Sequence, residues 1–153
     1  MGGAGGTAKC RRLSLSMGQA NPKAVGERSE AMVFAYLVQH GELVAIPFGD
    51  NQRYDLLLDK GERILRIQVK TGRLLADGTV TFPACSSQNH RGRGTRNYRG
   101  ECDYFAVFCP GNRKIYFVPV EACGTSAAKL RVTPSRNNQR RRVRYAADYE
   151  AIP

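Results

Sequence analysis

Two polar side chains, Gln68 and Lys70, interrupt an apolar segment in the stretch RIQVK. Side chains alternate between the faces of a strand, so these two point one way while Ile67 and Val69 point the other. An amide and an ammonium on one face can both contact a single bound water molecule, which is the geometry of a hydrolytic site. The alternative is an exposed lysine that keeps an edge strand from pairing with another chain.

Two acids are expected near this pair. Asp55 precedes the apolar run in RYDLLLD, which a tight turn at residues 60–62 connects to the strand that carries Gln68. Glu30 is spaced to share the inward stripe of a predicted helix, where an acid needs a cation; the alternative is a helix-edge side chain that turns into water. Carboxylate, amide and backbone carbonyl oxygens are ligands for Mg²⁺, and a nearby lysine could position a water for attack on a phosphodiester.

A helix and a run of strands must hold these residues. The helix is predicted from Pro22 to about Gln39, with an apolar stripe formed by Val33, Phe34 and Leu37. Strands are predicted over residues 42–48, 53–59, 63–71, 78–84, 103–109, 114–120 and 129–134. Residues 86–100 are expected to form a polar loop and residues 145–151 a short helix, which together predict a mixed α/β domain.

Positive charge is concentrated in the second half of the chain. The net charge is +11, yet residues 23–83 are balanced, while residues 84–153 carry thirteen basic and five acidic side chains. Two clusters, RGRGTRNYR and RNNQRRRVR, suit phosphate and base recognition better than a plainly solvated surface. The predicted DNA-contacting residues are Arg53, Asn89, His90, Arg91, Arg93, Arg96, Arg99, Asn137, Asn138, Gln139, Arg140, Arg141, Arg142 and Arg144.

Length and composition predict one domain over residues 23–153 behind a flexible leader over residues 1–22. The leader lacks the apolar core of a signal peptide, and no apolar run reaches the length of a membrane span. Five scattered cysteines without a C-x-x-C pair are typical of reduced thiols. We therefore expect a cytoplasmic, nucleoid-associated protein that does not engage membranes.

The ordered string of segments resembles a known family. RYDLLLD followed by RIQVK resembles the D…(D/E)xK signature of the PD-(D/E)xK nuclease superfamily, with Tyr54 at the proline of the motif and Gln68 at its second acid. The QxK form is similar to that of group I intron-encoded homing endonucleases and their bacterial relatives. So are the segments GERSEAMVFAYL, PFGDNQRYDLLLD, QVKTGR, YRGECDYFAVF and IYFVPVE.

The resemblance implies a restriction-endonuclease-like core, with a mixed β-sheet flanked by helices, that hydrolyses DNA with Mg²⁺ or, as a substitute, Mn²⁺. Asp55 would be the central metal ligand, Gln68 an amide-oxygen ligand and Glu30 a direct or water-mediated one. The carbonyl of Val69 would complete the site, and Lys70 would orient or deprotonate the attacking water. The implied partner is double-stranded DNA, and the implied assembly is a homodimer or homotetramer.

Two alternatives stay open at this stage. One is a catalytically inactive DNA-binding protein on the same fold, because Gln68 supplies no charge to a metal site. The other is a Holliday-junction resolvase or restriction-type nuclease, which would differ in the DNA structure that it cuts.

Overall fold

The computed structural model describes residues 21–49, 51–87, 94–134 and 143–153. In this part of the chain one α-helix, α1, spans Pro22–Gln39, as predicted. The side chain of Asn21 accepts a hydrogen bond from the Lys23 N–H at 3.1 Å, and Pro22 occupies the first turn, where its missing N–H costs nothing. No helix among the described residues is long and apolar enough to cross a bilayer.

Ten strands follow the helix in the described residues. They are β1 (Leu43–Ala45), β2 (Leu56–Asp59), β3 (Ile64–Thr71), β4 (Arg73–Leu74), β5 (Thr79–Pro83), β6 (Cys85–Ser87), β7 (Thr95–Asn97), β8 (Tyr104–Cys109), β9 (Lys114–Pro119) and β10 (Ala127–Arg131). Two short 3₁₀ turns, Val120–Ala122 and Ala146–Tyr149, complete the description.

The main sheet has the strand order β1-β2-β3-β8-β9. Strands β3 and β8 are parallel, whereas the other neighbours are antiparallel, so the sheet is mixed. A smaller sheet has the order β10-β5-β4, and β6 pairs with β7 as a two-stranded hairpin. The predicted fold class, a mixed sheet with helical cover, is therefore confirmed, with one α-helix in the described residues rather than several.

Two apolar cores lie on the two faces of the main sheet. Helix α1 covers one face and buries Val33 and Leu37 against Ile67 and Val69 of β3. On the other face, residues of β8 and β9 pack against β5 and β10 of the smaller sheet. In the parallel register Gln68 lies beside Phe105, so the polar pair of β3 belongs to this second face.

The structure departs from the sequence predictions at several places, among them β2, which begins at Leu56, and β10, which spans Ala127–Arg131. Strand β1 is limited to Leu43–Ala45, because the following residues leave the sheet before Gly49. The segment 86–100 is not simply a loop, since its ends pair as β6 and β7. The terminal helix is a 3₁₀ turn of four residues. The two-residue strand β4 and the turn at 120–122 were not predicted.

Gly72 marks the point at which the chain leaves β3 between the two sheets. Its N–H donates to the Phe108 carbonyl at 2.7 Å. A Cβ atom at this position would lie 2.8 Å from Cγ1 of Val80 and 2.9 Å from Cγ1 of Val107. Because both neighbours are fully buried, neither can move away cheaply.

We expect Gly72→Ala to lower the free energy of unfolding by about 1–3 kcal/mol through overpacking. Gly26→Ala is the matched control, because a Cβ at this helical position meets nothing within 4 Å and should stabilise the protein by about 0.5–1 kcal/mol. Urea denaturation of both variants measures the difference. Equal effects of the two substitutions would contradict this account of Gly72.

Candidate active site

The carboxylate of Asp55 ends the hydrogen-bond ladder between β2 and β3. The backbone N–H of Asp55 donates to the Ile67 carbonyl at 2.8 Å. The next N–H along β3, that of Val69, donates to Asp55 Oδ2 at 2.7 Å. A side-chain oxygen thus takes the place of a ladder carbonyl, which fixes the Asp55 carboxylate against the backbone of β3.

Gln68 contacts the same carboxylate. Its Nε2 donates to Asp55 Oδ2 at 2.6 Å and lies 3.4 Å from the carbonyl oxygen of Val69. Because an ionised carboxylate only accepts hydrogen bonds, the group that faces it must be the NH₂ end of the amide. The residue predicted as an amide-oxygen ligand therefore acts here as a donor to Asp55.

Lys70 lies on the same face of β3 as Gln68, as predicted. The alternation is visible in burial, with Leu65, Ile67 and Val69 buried and Gln68 and Lys70 partly exposed. Lys70 Nζ donates to the hydroxyl of Tyr98 at 2.9 Å and lies 4.3 Å from the centroid of its ring. The ammonium is thus held within the fold and is not a freely solvated edge charge.

Glu30 does not share the buried stripe of α1. The helix buries Ser29, Val33 and Leu37, whereas Glu30 is exposed at the border of that stripe, so the predicted inward position is wrong. The Ser29 and Thr71 hydroxyls share a hydrogen bond of 2.6 Å, which ties α1 to the end of β3. This bond brings the first half of the helix, and Glu30 with it, to the end of the sheet where the site lies.

The pKa values of both carboxyls are raised. Burial raises the pKa of Asp55 above its ordinary 3.8, against the opposing effects of the Val69 N–H, Lys70 and Gln68. Partial burial also raises the pKa of Glu30, and the charges of Asp55 and Glu27 raise it further. The charge of Asp55 thus disfavours ionisation of Glu30, and a cation near both carboxyls would relieve that effect.

The oxygen atoms available as metal ligands fit a cation site with little negative charge. Among the described residues, Asp55 Oδ1 receives no hydrogen bond, and Glu30 and the Val69 carbonyl supply further hard oxygens. No group of three His, Cys, Asp or Glu side chains converges in this part of the chain, and Gln68 stands at the position of the second acid of the motif. The ligand roles of Glu30, Asp55, Gln68 and Val69 stay predictions.

Arg53 is engaged inside the protein. Its Nε donates to Glu101 at 2.8 Å, its Nη1 to Ser86 at 2.6 Å and its Nη2 to the Asn97 carbonyl at 2.9 Å. Its Cζ lies 4.2 Å from the centroid of the Tyr98 ring. The guanidinium therefore links the segment before β2 to the β6–β7 hairpin. The sequence predicted Arg53 only as a DNA-contacting residue and did not predict this internal contact.

The other predicted DNA-contacting residues divide into two groups. Arg96 pairs with Glu101, Arg99 lies 3.7 Å from Glu121, and Arg144 is partly buried beside β10. The rest lie outside the described residues: Asn89, His90, Arg91, Arg93, Asn137, Asn138, Gln139, Arg140, Arg141 and Arg142.

Sequence reasoning missed Tyr98 and Ser29. Tyr98 is only 5% exposed and its ring packs edge-on against Phe105, with centroids 5.4 Å apart. The available signal was a lone tyrosine in the otherwise polar segment 86–100, which a solvated loop does not need. For Ser29 the signal was a small polar residue four positions before Val33 on the buried stripe.

Asp55 directly precedes β2, and Lys70 lies near the end of the neighbouring strand β3, so both residues lie at one end of a mixed sheet that a helix covers. The sequence profile of the PD-(D/E)XK endonuclease family matches residues 20–152. The chain belongs to this family, which confirms the resemblance seen in its motifs. Members of the family generally use divalent metal ions.

Two solved structures are similar to this chain. The bacterial homing endonuclease I-Ssp6803I has a TM-score of 0.68 and 23% identity, covering 84% of this chain and 87% of its own. At this identity the likeness establishes the shared fold. The Holliday junction resolvase Hjc of Archaeoglobus fulgidus has a TM-score of 0.42 and 18% identity, covering 70% and 84%. The search of curated protein sequences gave no match.

Asp55→Asn is expected to stabilise the metal-free protein at neutral pH. A carboxyl whose pKa is raised in the folded state binds its proton more tightly there than in the unfolded chain. The folded protein therefore loses stability as the pH rises from 3.8 through the raised pKa of Asp55. The Asn oxygen can still accept from Val69 and Gln68. Thermal unfolding in EDTA should show a midpoint a few degrees higher than that of the wild type at pH 7. The difference should shrink towards pH 3, and a constant difference would contradict the assigned cause.

Gln68→Glu should have the opposite effect on the metal-free protein. It replaces an NH₂ donor 2.6 Å from Asp55 Oδ2 with a second carboxylate, and like charges at this distance repel. We expect a lower unfolding midpoint in EDTA and tighter Mg²⁺ binding by calorimetry, because the added acid is a charged hard ligand. Unchanged Mg²⁺ affinity would show that position 68 does not face the cation.

Proposed function

We propose that this nuclease is a Mg²⁺-dependent, site-specific endonuclease of the homing type that cleaves both strands of DNA. The proposal rests on the hydrogen bonds of the Asp55 carboxylate. Its Oδ2 accepts from the Val69 N–H and from Gln68 Nε2, while its Oδ1 accepts from no donor among the described residues. That leaves one carboxylate oxygen beside Lys70 for a divalent cation and the phosphate that it binds.

Each residue of the site then has a chemical task. Asp55 would hold the cation, with Glu30 and the Val69 carbonyl as further oxygen ligands. A bound divalent cation supplies the positive charge that stabilises the phosphoryl oxygens as they gain charge. Lys70 donates hydrogen bonds to the attacking water and fixes it in line with the scissile bond. Gln68 keeps the Asp55 carboxylate in place without adding a competing negative charge.

The charge distribution supports DNA as the substrate. Of the net charge of +11, residues 84–153 contribute +8, and this part of the chain includes the hairpin strands next to the site. A basic surface beside a phosphodiester-cleaving site concentrates a polyanion there. Because one site cuts one strand, double-strand cleavage is best served by a symmetric dimer or tetramer. The overall fold shared with I-Ssp6803I favours the homing type.

Cleavage should depend on Asp55 and Lys70. We expect Asp55→Ala and Lys70→Ala to reduce cleavage by at least about 100-fold while leaving DNA affinity largely unchanged, because both act on the transition state. Lys60→Ala is the matched control, since Lys60 pairs with Glu42 at the opposite end of β3. The measurement is cleavage of a library of randomised linear sites with Mg²⁺ or with EDTA.

A four-way junction substrate in the same assay separates the alternatives. Cleavage of the junction but not of linear DNA would indicate a resolvase. DNA binding without cleavage in Mg²⁺ or Mn²⁺ would indicate an inactive DNA-binding protein and would refute the nuclease mechanism. Undiminished cleavage by Lys70→Ala would refute the assignment of the active site.

A further inference from the structure

The contact between Lys70 and Tyr98 joins β3 to a segment of the chain that carries positive charge. Tyr98 directly follows β7, and its ring is buried against Phe105 on the second face of the sheet. Its hydroxyl accepts a hydrogen bond from Lys70 Nζ at 2.9 Å. A rigid, buried ring thus fixes the end of a long and otherwise mobile side chain.

One hydrogen bond to Tyr98 leaves Lys70 able to act. An ammonium has three N–H donors, so two remain for a water molecule or a phosphate oxygen. A free lysine side chain populates many rotamers, and holding it in one of them before substrate binds removes that entropy cost from the reaction. The contact therefore prepares the ammonium and does not occupy it completely.

Arg53 also contacts the ring of Tyr98. Its guanidinium stacks 4.2 Å from the centre of the ring. Its three N–H contacts reach Ser86 on β6, the Asn97 carbonyl on β7 and Glu101 beyond Tyr98. Arg53 lies two residues before Asp55. Its side chain therefore connects the β6–β7 hairpin with the segment that carries Asp55.

We propose that Tyr98 is a positioning residue that orients Lys70 for the reaction, and that Arg53 locks Tyr98 in place through the β6–β7 hairpin. This inference rests on the proposed nuclease function for its kinetic consequences. The contact itself is a property of the free protein. Tyr98, at the end of the β6–β7 hairpin, thereby helps to set the geometry of the site.

The test uses Tyr98→Phe, which keeps the ring and removes only the hydroxyl, in the full-length protein. Tyr116→Phe is the matched control, because Tyr116 is also fully buried on the same face and its hydroxyl accepts from Asn112 at 2.7 Å, away from Lys70. We expect Tyr98→Phe to slow single-turnover cleavage by about 10- to 100-fold, part of the roughly 10²–10⁴ that a positioned proton-transfer group contributes. DNA affinity should stay at the wild-type value, and Tyr116→Phe should cleave normally.

Arg53→Gln distinguishes the two roles that Arg53 could have. If Arg53 locks Tyr98, the variant loses cleavage rate and keeps DNA affinity. If Arg53 instead contacts phosphate, the variant loses affinity with a weaker salt dependence of binding, and its place in the proposal is overturned.

Nuclear magnetic resonance separates a failure of this proposal from a failure of the nuclease function. The ammonium signal of Lys70, identified by its absence in Lys70→Ala, should shift or broaden in Tyr98→Phe and stay in place in Tyr116→Phe. If the wild type cleaves no DNA but this pattern holds, the nuclease proposal fails while the Lys70–Tyr98 contact stands. An unchanged Lys70 signal, a wild-type rate for Tyr98→Phe, or an equal loss of rate in both tyrosine variants overturns the positioning role.

Discussion

The hydrogen bond from the Val69 N–H to the Asp55 carboxylate is the interaction on which the rest of the site depends. It replaces a rung of the β2–β3 ladder with a side chain, so the Asp55 carboxylate is positioned by the backbone itself. The same stretch of β3 turns Gln68 and Lys70 towards Asp55, because strand side chains alternate and the register with β2 is fixed by the Asp55 N–H bond to Ile67. The acid and the amide are therefore placed by one backbone constraint, whereas the ammonium of Lys70 is also held by the Tyr98 hydroxyl.

The second constraint is electrostatic. Burial raises the pKa of Asp55 although Val69, Gln68 and Lys70 all favour its charged form, so the site is already costly to ionise. A second acid at position 68 would add to that cost in the absence of a cation. Gln68 adds no negative charge and donates a hydrogen bond to Asp55 instead, which stabilises the Asp55 carboxylate in the free protein. The consequence is a cluster with less negative charge than the D…(D/E)xK signature usually provides.

The basic half of the chain is coupled to this site through packing as well as charge. Arg53 and Tyr98 connect strands β6 and β7 to the segment that precedes β2 and to Lys70. On the other side of the sheet, the bond between Ser29 and Thr71 holds α1 against the end of β3. Elements from both faces thus converge on the same end of the strand.

The sequence by itself determined the local pattern: the helix from Pro22 to Gln39, the paired strands around the turn at 60–62 and the shared face of Gln68 and Lys70. These follow from periodicity and turn residues, which act over a few neighbouring positions. Only the tertiary structure decided that Glu30 lies outside the buried stripe, that the Gln68 amide donates to Asp55, that Tyr98 contacts Lys70, and that Arg53 contacts Tyr98 and Glu101. Those contacts join residues up to 48 positions apart, as between Arg53 and Glu101, and such pairings are set by how sheets and helix pack and not by local spacing.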